Sequence, residues 1–470
     1  GQWRTRLQAN APNARRETIM HEQHRIDAVI EGAITVATVY DRQWFFAAND
    51  VAALKIVLDR TDGRRKEPAT TLAADENFTA SLKRMPGNYA ILGYGRLDHY
   101  WERLSKQMTM NAGNDEQLRV LGQLRSITAA SRIENGKFRD VLFLTMPKRE
   151  EMGDLSRSSL SVATTNSILY AAGFLKIPEQ MPLGTTNPAK ASGFAGALPG
   201  IASILSAAGL TLEDWKNAFG PEVGIIADWV ENSRWPSLAA TLPVKDASKA
   251  RTVVAALASG TAESGAWAES EKEGVQFYAK PPLSPMLPIA PTMGLSDRLF
   301  MLAQDPASAE AIVERSSSGS SGLTASASFK AAERLVAEPK EAFAYLDTAL
   351  FYRRLDAAVR PMLIMAAAFV PRISESVELG KLPTADVVSK YLSPIVISQR
   401  YDTDGYLTES VGPLSLYQAA VGISLMTGAA AKLYDSSFQG LGSAVAVPGS
   451  GGNTPSDPFP LPSASPSEPP

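Results

Sequence analysis

The apolar positions of this chain run through the same order twice. Trp44 to Ala48 is a short aromatic and apolar run suited to a buried strand, and Asp50 follows where a helix needs its N-cap. Ala53, Leu54, Val57 and Leu58 then recur at helical spacing. A turn-rich linker, Thr61 to Thr71, precedes a second amphipathic segment carrying Phe78 and Leu82. A strand, Tyr89 to Tyr94, and a third helix striped by Tyr100, Trp101 and Leu104 complete the pattern. The echo runs from Phe300 to Leu355. Ala48-Asn49-Asp50 answers to Ala303-Gln304-Asp305, Leu58-Asp59-Arg60 to Val313-Glu314-Arg315, and Tyr100-Trp101-Glu102-Arg103-Leu104 to Phe351-Tyr352-Arg353-Arg354-Leu355. Pro306 stands at the first helical position of the second copy, where its missing N–H costs nothing. Its linker is the run Ser316 to Gly322, and its later helix and strand carry Phe329 with Leu335 and Ala342 to Leu346.

A third correspondence lies downstream. Ser126 to Thr145 and Ile395 to Ser410 each read as a hairpin, about Asn135-Gly136 in one and Asp404-Gly405 in the other, dipeptides that accept the positive φ of a type I′ turn. A period this long excludes a solenoid. The fold class expected is α+β, with two pseudo-symmetric lobes from an internal duplication and antiparallel sheets packed with helices. Residues 1–190 form the first lobe, 191–445 the second and 446–470 an extended tail. Chance likeness between amphipathic segments is the alternative that the pattern leaves open.

The rest of the chain fills in this plan. Arg4 to Ile30 is polar and charged and reads as an arm before a helix. Glu31 to Phe46 reads as a strand pair bending near Asp41-Arg42, matched by Glu273 to Met301 with a Pro-rich insertion from Pro281 to Pro291. Val223 to Trp229 and Ser237 to Val244 read as strands, and Asp246 as the cap of a helix from Ala247 to Leu257. Ala191 to Leu212 is uncharged and long enough to span a bilayer, but its Gly, Ala and Ser content and the central Pro199-Gly200 favour a loop feeding a buried helix. Lipid or partner contact near Gly193–Leu210 is the other reading. Pro361 to Val370 and Leu416 to Ala431 read as core helices, and Pro448 to Pro470 is too rich in Pro, Ser and Gly to bury a core.

Composition narrows the function without naming it. A chain of 470 residues can bury two large cores, and its net charge of −3 gives no general attraction to nucleic acid or anionic lipid. It has no cysteine, which excludes disulfides, thiolate metal sites and cysteine nucleophiles. The opening Gly1-Gln2-Trp3 lacks an initiator Met, and the first lobe lacks a counterpart of Leu212 to Ala258, so a processed chain whose signal or membrane anchor has been removed is expected.

No catalytic constellation survives inspection. His21-Glu22-Gln23-His24 sets its histidines three apart, whereas the zinc-protease motif needs four. Gly93-Tyr94-Gly95 lacks the third glycine of a dinucleotide fingerprint, and Gly319-Ser320-Ser321-Gly322 sits in a low-complexity linker. Asp402-Thr403-Asp404-Gly405, aligned as a calcium loop, puts Arg400 and Val411 where carboxylates are required. Asp228 and Glu231 are the remaining acid and base candidates, and carboxylates so close are common on any surface. No catalytic, cofactor-binding or metal residue is therefore assigned.

The segments Phe45–Arg60, Leu299–Arg315, Phe219–Trp229, Trp235–Leu257 and Ala344–Leu355 together resemble a bacterial family of exported proteins described only as a domain of unknown function. The resemblance covers most of residues 30–410 and carries no catalytic residues. It implies an extracytoplasmic setting, periplasmic or on the membrane exterior. The function expected is a non-enzymatic structural or accessory subunit of an extracytoplasmic assembly, contacting other subunits through the Pro448–Pro470 tail and the N-terminal arm. Carriage of lipid or another apolar ligand, and an enzyme of unfamiliar type, are the alternatives.

Overall fold

The computed structural model describes residues 14–31, 34–65, 71–98, 122–148, 152–175, 204–260, 267–282, 289–318, 322–369 and 381–416. The readings placed on Tyr100 to Leu104, on 193–203, on 417–431 and on the Pro448–Pro470 tail lie outside them. The chain divides into two compact units, Gly1–Thr79 and Ala80–Pro470.

The N-terminal unit is an antiparallel meander of β1 (Arg15–His21), β2 (His24–Glu31), β3 (Ile34–Asp41) and β4 (Trp44–Ala48), packed on one face by α1 (Val51–Thr61). The region around His21 and His24 is thus a hairpin and not a helix. Alternation decides it: Ile19 pairs with Ile26 and Ala28 with Ala37, and Ile26, Ala28, Ala37 and Val39 are buried beneath Leu54 and Leu58 of α1. The Asp50 side chain caps α1 by accepting from the Ala52 N–H at 2.9 Å, as its place in the sequence predicts.

A charged clasp closes this unit. His21 Nε2 lies 2.8 Å from Asp59 and His24 Nε2 lies 2.8 Å from Asp62, and Arg64 donates to both carboxylates. The hydrogen bond from Arg64, followed by that from His21, holds Asp59 below its ordinary value of 3.8. For Asp62 the largest cause of the lowering is the bond from His24. A carboxylate lowered on folding contributes stability that is present above its ordinary value and lost as pH falls through the folded value. The protection of the β1 and β2 amides, taken relative to the intrinsic exchange rate at each pH, is therefore expected to hold down to about pH 3.8 and to fall below it. Asp62→Asn should weaken that dependence, and protection that does not change with pH in the parent chain would contradict this role of the clasp.

The boundary between the units falls within α2 (Glu76–Leu82), and the C-terminal unit is built on one antiparallel sheet. In chain order its strands are β5 (Ile91–Arg96), β6 (Ser126–Glu134), β7 (Lys137–Thr145), β8 (Ser167–Phe174), β9 (Glu222–Asp228), β10 (Ser237–Pro243) and β11 (Ala268–Lys272). They continue with β12 (Val275–Ala279), β13 (Thr292–Leu295), β14 (Leu299–Ala303), β15 (Ala342–Leu346), β16 (Ile395–Asp402) and β17 (Gly405–Gly412). The spatial order is β11-β12-β13-β14-β10-β9-β8-β15-β16-β17-β7-β6-β5. Strands on either side of residue 190 therefore share one sheet, with β8 between β9 and β15, and β7 against β17. The α+β class with antiparallel sheets stands.

Helices cover both faces of this sheet around β14. On one face a 3-10 turn, Ser158–Val162, packs with α5 (Pro306–Ser318), α6 (Gly322–Ala325) and α7 (Ala327–Glu333) over Tyr170, Met301, Phe343 and Tyr345. Phe329 of α7 is the hub, with its ring 5.0 Å from Tyr345 and 5.9 Å from Phe343 in edge-to-face contacts. Burial pushes the Tyr170 and Tyr345 phenols well above their ordinary value, because the charged form is poorly solvated there. On the other face α3 (Leu212–Ala218) and α4 (Ala247–Gly260) bury Trp215, Phe219, Val254, Leu295 and Phe300 together with Leu205. The described end of the small-residue stretch, around Leu205, thus feeds a filled core. Asp246 caps α4 as expected, accepting from the Ser248 and Lys249 N–H groups at 3.0 Å each.

Three local readings need correction. The second hairpin turns on Thr403-Asp404, with Thr403 at φ 55°, and Gly405 is already the first residue of β17. Glycine is needed there because β17 runs so close to β7 that a Cβ would collide with the Leu144 carbonyl and the Phe143 ring. Asn135-Gly136 does form the first turn, with φ of 50° and 74°. The serine linker begins later than read, since Ser316 to Ser318 end α5. Pro361 to Met365 belong to α8 (Thr348–Phe369) but are not core: Met362, Leu363, Ile364 and Met365 are exposed, Met365 by 61%. An apolar run without a 3.6-residue period carries no mark of which face is buried.

Two series of elements share part of their order: β1–β4, α1, α2, β5 and the β6–β7 hairpin, and later β11–β14, α5, α7, β15 and the β16–β17 hairpin, the second series also containing α6 (Gly322–Ala325) before α7, and α8 (Thr348–Phe369) and α9 (Ala385–Ser389) before β16. The β3–β4 and β13–β14 hairpins even share one register, with Tyr40 opposite Phe45 where Leu295 is opposite Phe300, and Ala37 opposite Ala48 where Thr292 is opposite Ala303.

Candidate functional site

The C-terminal unit contains a half-open cleft of about 580 Å³ at the ends of β9, β10 and β14, closed on one side by the first turns of α5. Asp228, Ser233, Trp235, Gln304, Ser308 and Arg315 line it. β9 ends at Asp228 and β10 resumes at Ser237, so the intervening loop forms the rim. The Trp229 indole donates to the Ser233 carbonyl at 3.0 Å, and the Ser233 hydroxyl donates to the Trp235 carbonyl at 2.9 Å, which fixes that loop.

At the base lies an ion pair. Asp228 is buried, and its carboxylate accepts from Arg315 at 3.0 Å and from the Ser167 hydroxyl at 2.5 Å, with Thr164 at 3.4 Å. Glu231 is on the exposed rim, 3.7 Å from Arg354. The two carboxylates weighed as an acid and base pair thus have separate partners and separate environments. Ser308 offers a hydroxyl, but it donates to Asp305 at 2.7 Å, and a carboxylate at that place acts as the helix cap and not as a poised base. Asp305 also accepts from the Ser308 N–H at 2.9 Å, so the N-terminus of α5 has its anion built in.

Two further buried carboxylates are wholly engaged. Glu222, at the start of β9, accepts from the N–H groups of Ser156, Arg157 and Ser158 at 2.8, 3.0 and 2.6 Å and from both serine hydroxyls. Arg157 makes that nest possible by taking a left-handed conformation, φ 54°, and its guanidinium then covers the Phe343 ring at 4.9 Å. Asp140 accepts from the Ser415 hydroxyl at 3.1 Å and the Leu416 N–H at 2.5 Å. Among the described residues no three His, Asp or Glu side chains stand together as a metal-ligating group.

Comparison with family models, curated proteins and solved structures finds no match. What the site can do must therefore come from its surface. The rim of the cleft meets α8 at two points. Arg234 stacks on Trp235 at 5.6 Å and reaches the Met362 sulfur at 3.9 Å, and Trp229 meets Phe351 edge-on at 6.1 Å. Val230, Trp235, Met362, Ile364 and Met365 are all exposed, and Tyr391, just beyond α9 (Ala385–Ser389), is 82% exposed. The sequence carried two signals for this surface. One was the continuous apolar run Met362 to Met365, and the other was Trp235 placed beside Arg234 in a polar loop. Arg315 had none, since its partner Asp228 is far away in the chain. No helix among the described residues is long and apolar enough to cross a membrane.

Proposed function

We propose that this protein is a non-enzymatic structural or accessory subunit of an extracytoplasmic assembly, built from two copies of one α+β half. The observation that carries the assembly role is the exposed apolar surface of α8. Met362, Leu363, Ile364 and Met365 are all exposed, and large apolar side chains concentrated on a surface in this way mark protein contacts. The engagement of Asp140, Glu222 and Asp228 supports a structural use of the buried carboxylates. The duplication is supported by the partly shared element order and by β7 and β17, the second strands of two like hairpins, pairing antiparallel as a local twofold would make them. The extracytoplasmic setting rests on the resemblance of Phe45–Arg60 and Leu299–Arg315 to exported proteins.

The test is the mass of the particle in native extracts. The parent chain should travel well above the mass of one chain, and Ile364→Lys, which places a charge on that exposed surface, should release it as a monomer without loss of fold. A monomeric parent would contradict the proposal. Carriage of an apolar ligand is the second reading, favoured by the cleft beside Trp235, and native mass spectrometry showing no copurifying ligand would argue against it.

A further inference from the structure

The N-terminal meander has the chemistry of a sheet that continues on the β4 side. Edge strands exposed to water normally carry charge, proline or a bulge that prevents pairing with a stray strand. The outer strands of both meanders obey this: β1 reads RRETIMH and β11 reads AESEK. β4 reads WFFAA, with none of these devices, yet among the described residues it pairs only with β3. The matching strand, β14, is equally apolar and lies inside its sheet, with β10 hydrogen-bonded along its other side from Pro243 opposite Leu299 to Ala239 opposite Ala303.

The outer face tells the same story. In the second meander Leu295 and Phe300 are buried under α3 and α4, with the Phe219 ring 5.2 Å from that of Phe300. The residues at the same register positions of the first meander are Tyr40 and Phe45. These are 67% and 49% exposed, stacked on each other at 4.7 Å, with Val36 and Met20 also in water. Tyr40 and Phe45 therefore have buried equivalents, which α3 and α4 cover while β10, the strand before α4, pairs along the edge of β14.

We infer that the edge of β4 left unpaired among the described residues and the face bearing Tyr40 and Phe45 form an interface for a second polypeptide. That partner brings an uncharged strand, added antiparallel to β4, and an amphipathic helix laid across the aromatic pair. Main-chain pairing at an edge supplies affinity in such strand addition, and the helix covering the side chains supplies specificity. The inference rests on the duplication reading, because the choice of strand plus helix is taken from the second copy.

The experiment adds a synthetic peptide copying Glu222–Gly260, the β9-β10-α4 element of this chain, to the full protein and follows amide exchange by mass spectrometry. Exchange of Trp44 to Ala48 should slow by about tenfold or more, as expected when edge amides gain partners. A scrambled peptide should do nothing, and Phe45→Lys should abolish the slowing while β1 to β3 keep their protection. Should Phe45→Lys disturb the unit, Tyr40→Ser tests the same face. No slowing at saturating peptide, or β4 amides already fully protected in the chain alone, overturns the interface. An experimental structure separates the two readings. If β1–α1 superposes on β11–α5 while the peptide leaves β4 unprotected, the interface fails and the duplication stands. If the halves do not superpose, the duplication fails whatever the peptide does.

Discussion

Glu222→Ala is expected to destabilise the C-terminal unit by about 3–5 kcal/mol, the range seen when one partner of a buried charged network is removed. The carboxylate accepts from three successive backbone N–H groups and two hydroxyls, and nothing else nearby can replace it. Each buried donor left without an acceptor costs about 1–3 kcal/mol, and water entering the cavity recovers part of that. The left-handed Arg157 loses its reason as well, and with it the cover over Phe343. Glu222→Gln keeps the shape and one acceptor and should cost clearly less. Denaturant midpoints at unchanged slope would check the ranking, and a Glu222→Ala protein as stable as the parent would show that the nest does not hold the 3-10 turn on β9.

Arg315→Ala should cost about 3–5 kcal/mol, because it strands the buried Asp228 carboxylate with only Ser167 and Thr164 as partners. The informative comparison is the double change Asp228→Asn with Arg315→Met, which removes both charges and keeps their volume. Buried ion pairs replaced together by groups of similar size often lose little. Near-parental stability is expected, with a coupling energy of about 2 kcal/mol or more between the sites. If the pair holds the floor of the cleft as structure, the double variant should keep the native particle mass. Loss of assembly at retained stability would instead make the charges themselves part of the contact.

The fold was readable where a local rule acted alone. Asp50, Asp246 and Asp305 cap their helices, and Asn135-Gly136 turns its hairpin, because these depend on residues within a few positions. Asp404-Gly405 misled because Gly405 is required by its neighbour β7, a constraint from outside the hairpin that the dipeptide cannot express. The polar stretch around His21 and His24 looked helical for want of apolar residues, while its inward positions, Ile19 and Ile26, mark a strand pair only once they are known to face each other. Of the site, Asp228 was visible and its partner was not. The exposed end of α8 is visible in the sequence as an apolar run that points to a core, since hydrophobicity reports a tendency to be buried and not the identity of the covering surface.

A crystal structure tests whether one half was used twice. If it was, β1 to α1 overlays β11 to α5 in a single rigid-body operation, with Tyr40 on Leu295 and Phe45 on Phe300, and β5 to β7 likewise overlays β15 to β17. Meanders whose registers disagree, or whose helices pack on opposite faces of their sheets, would contradict it.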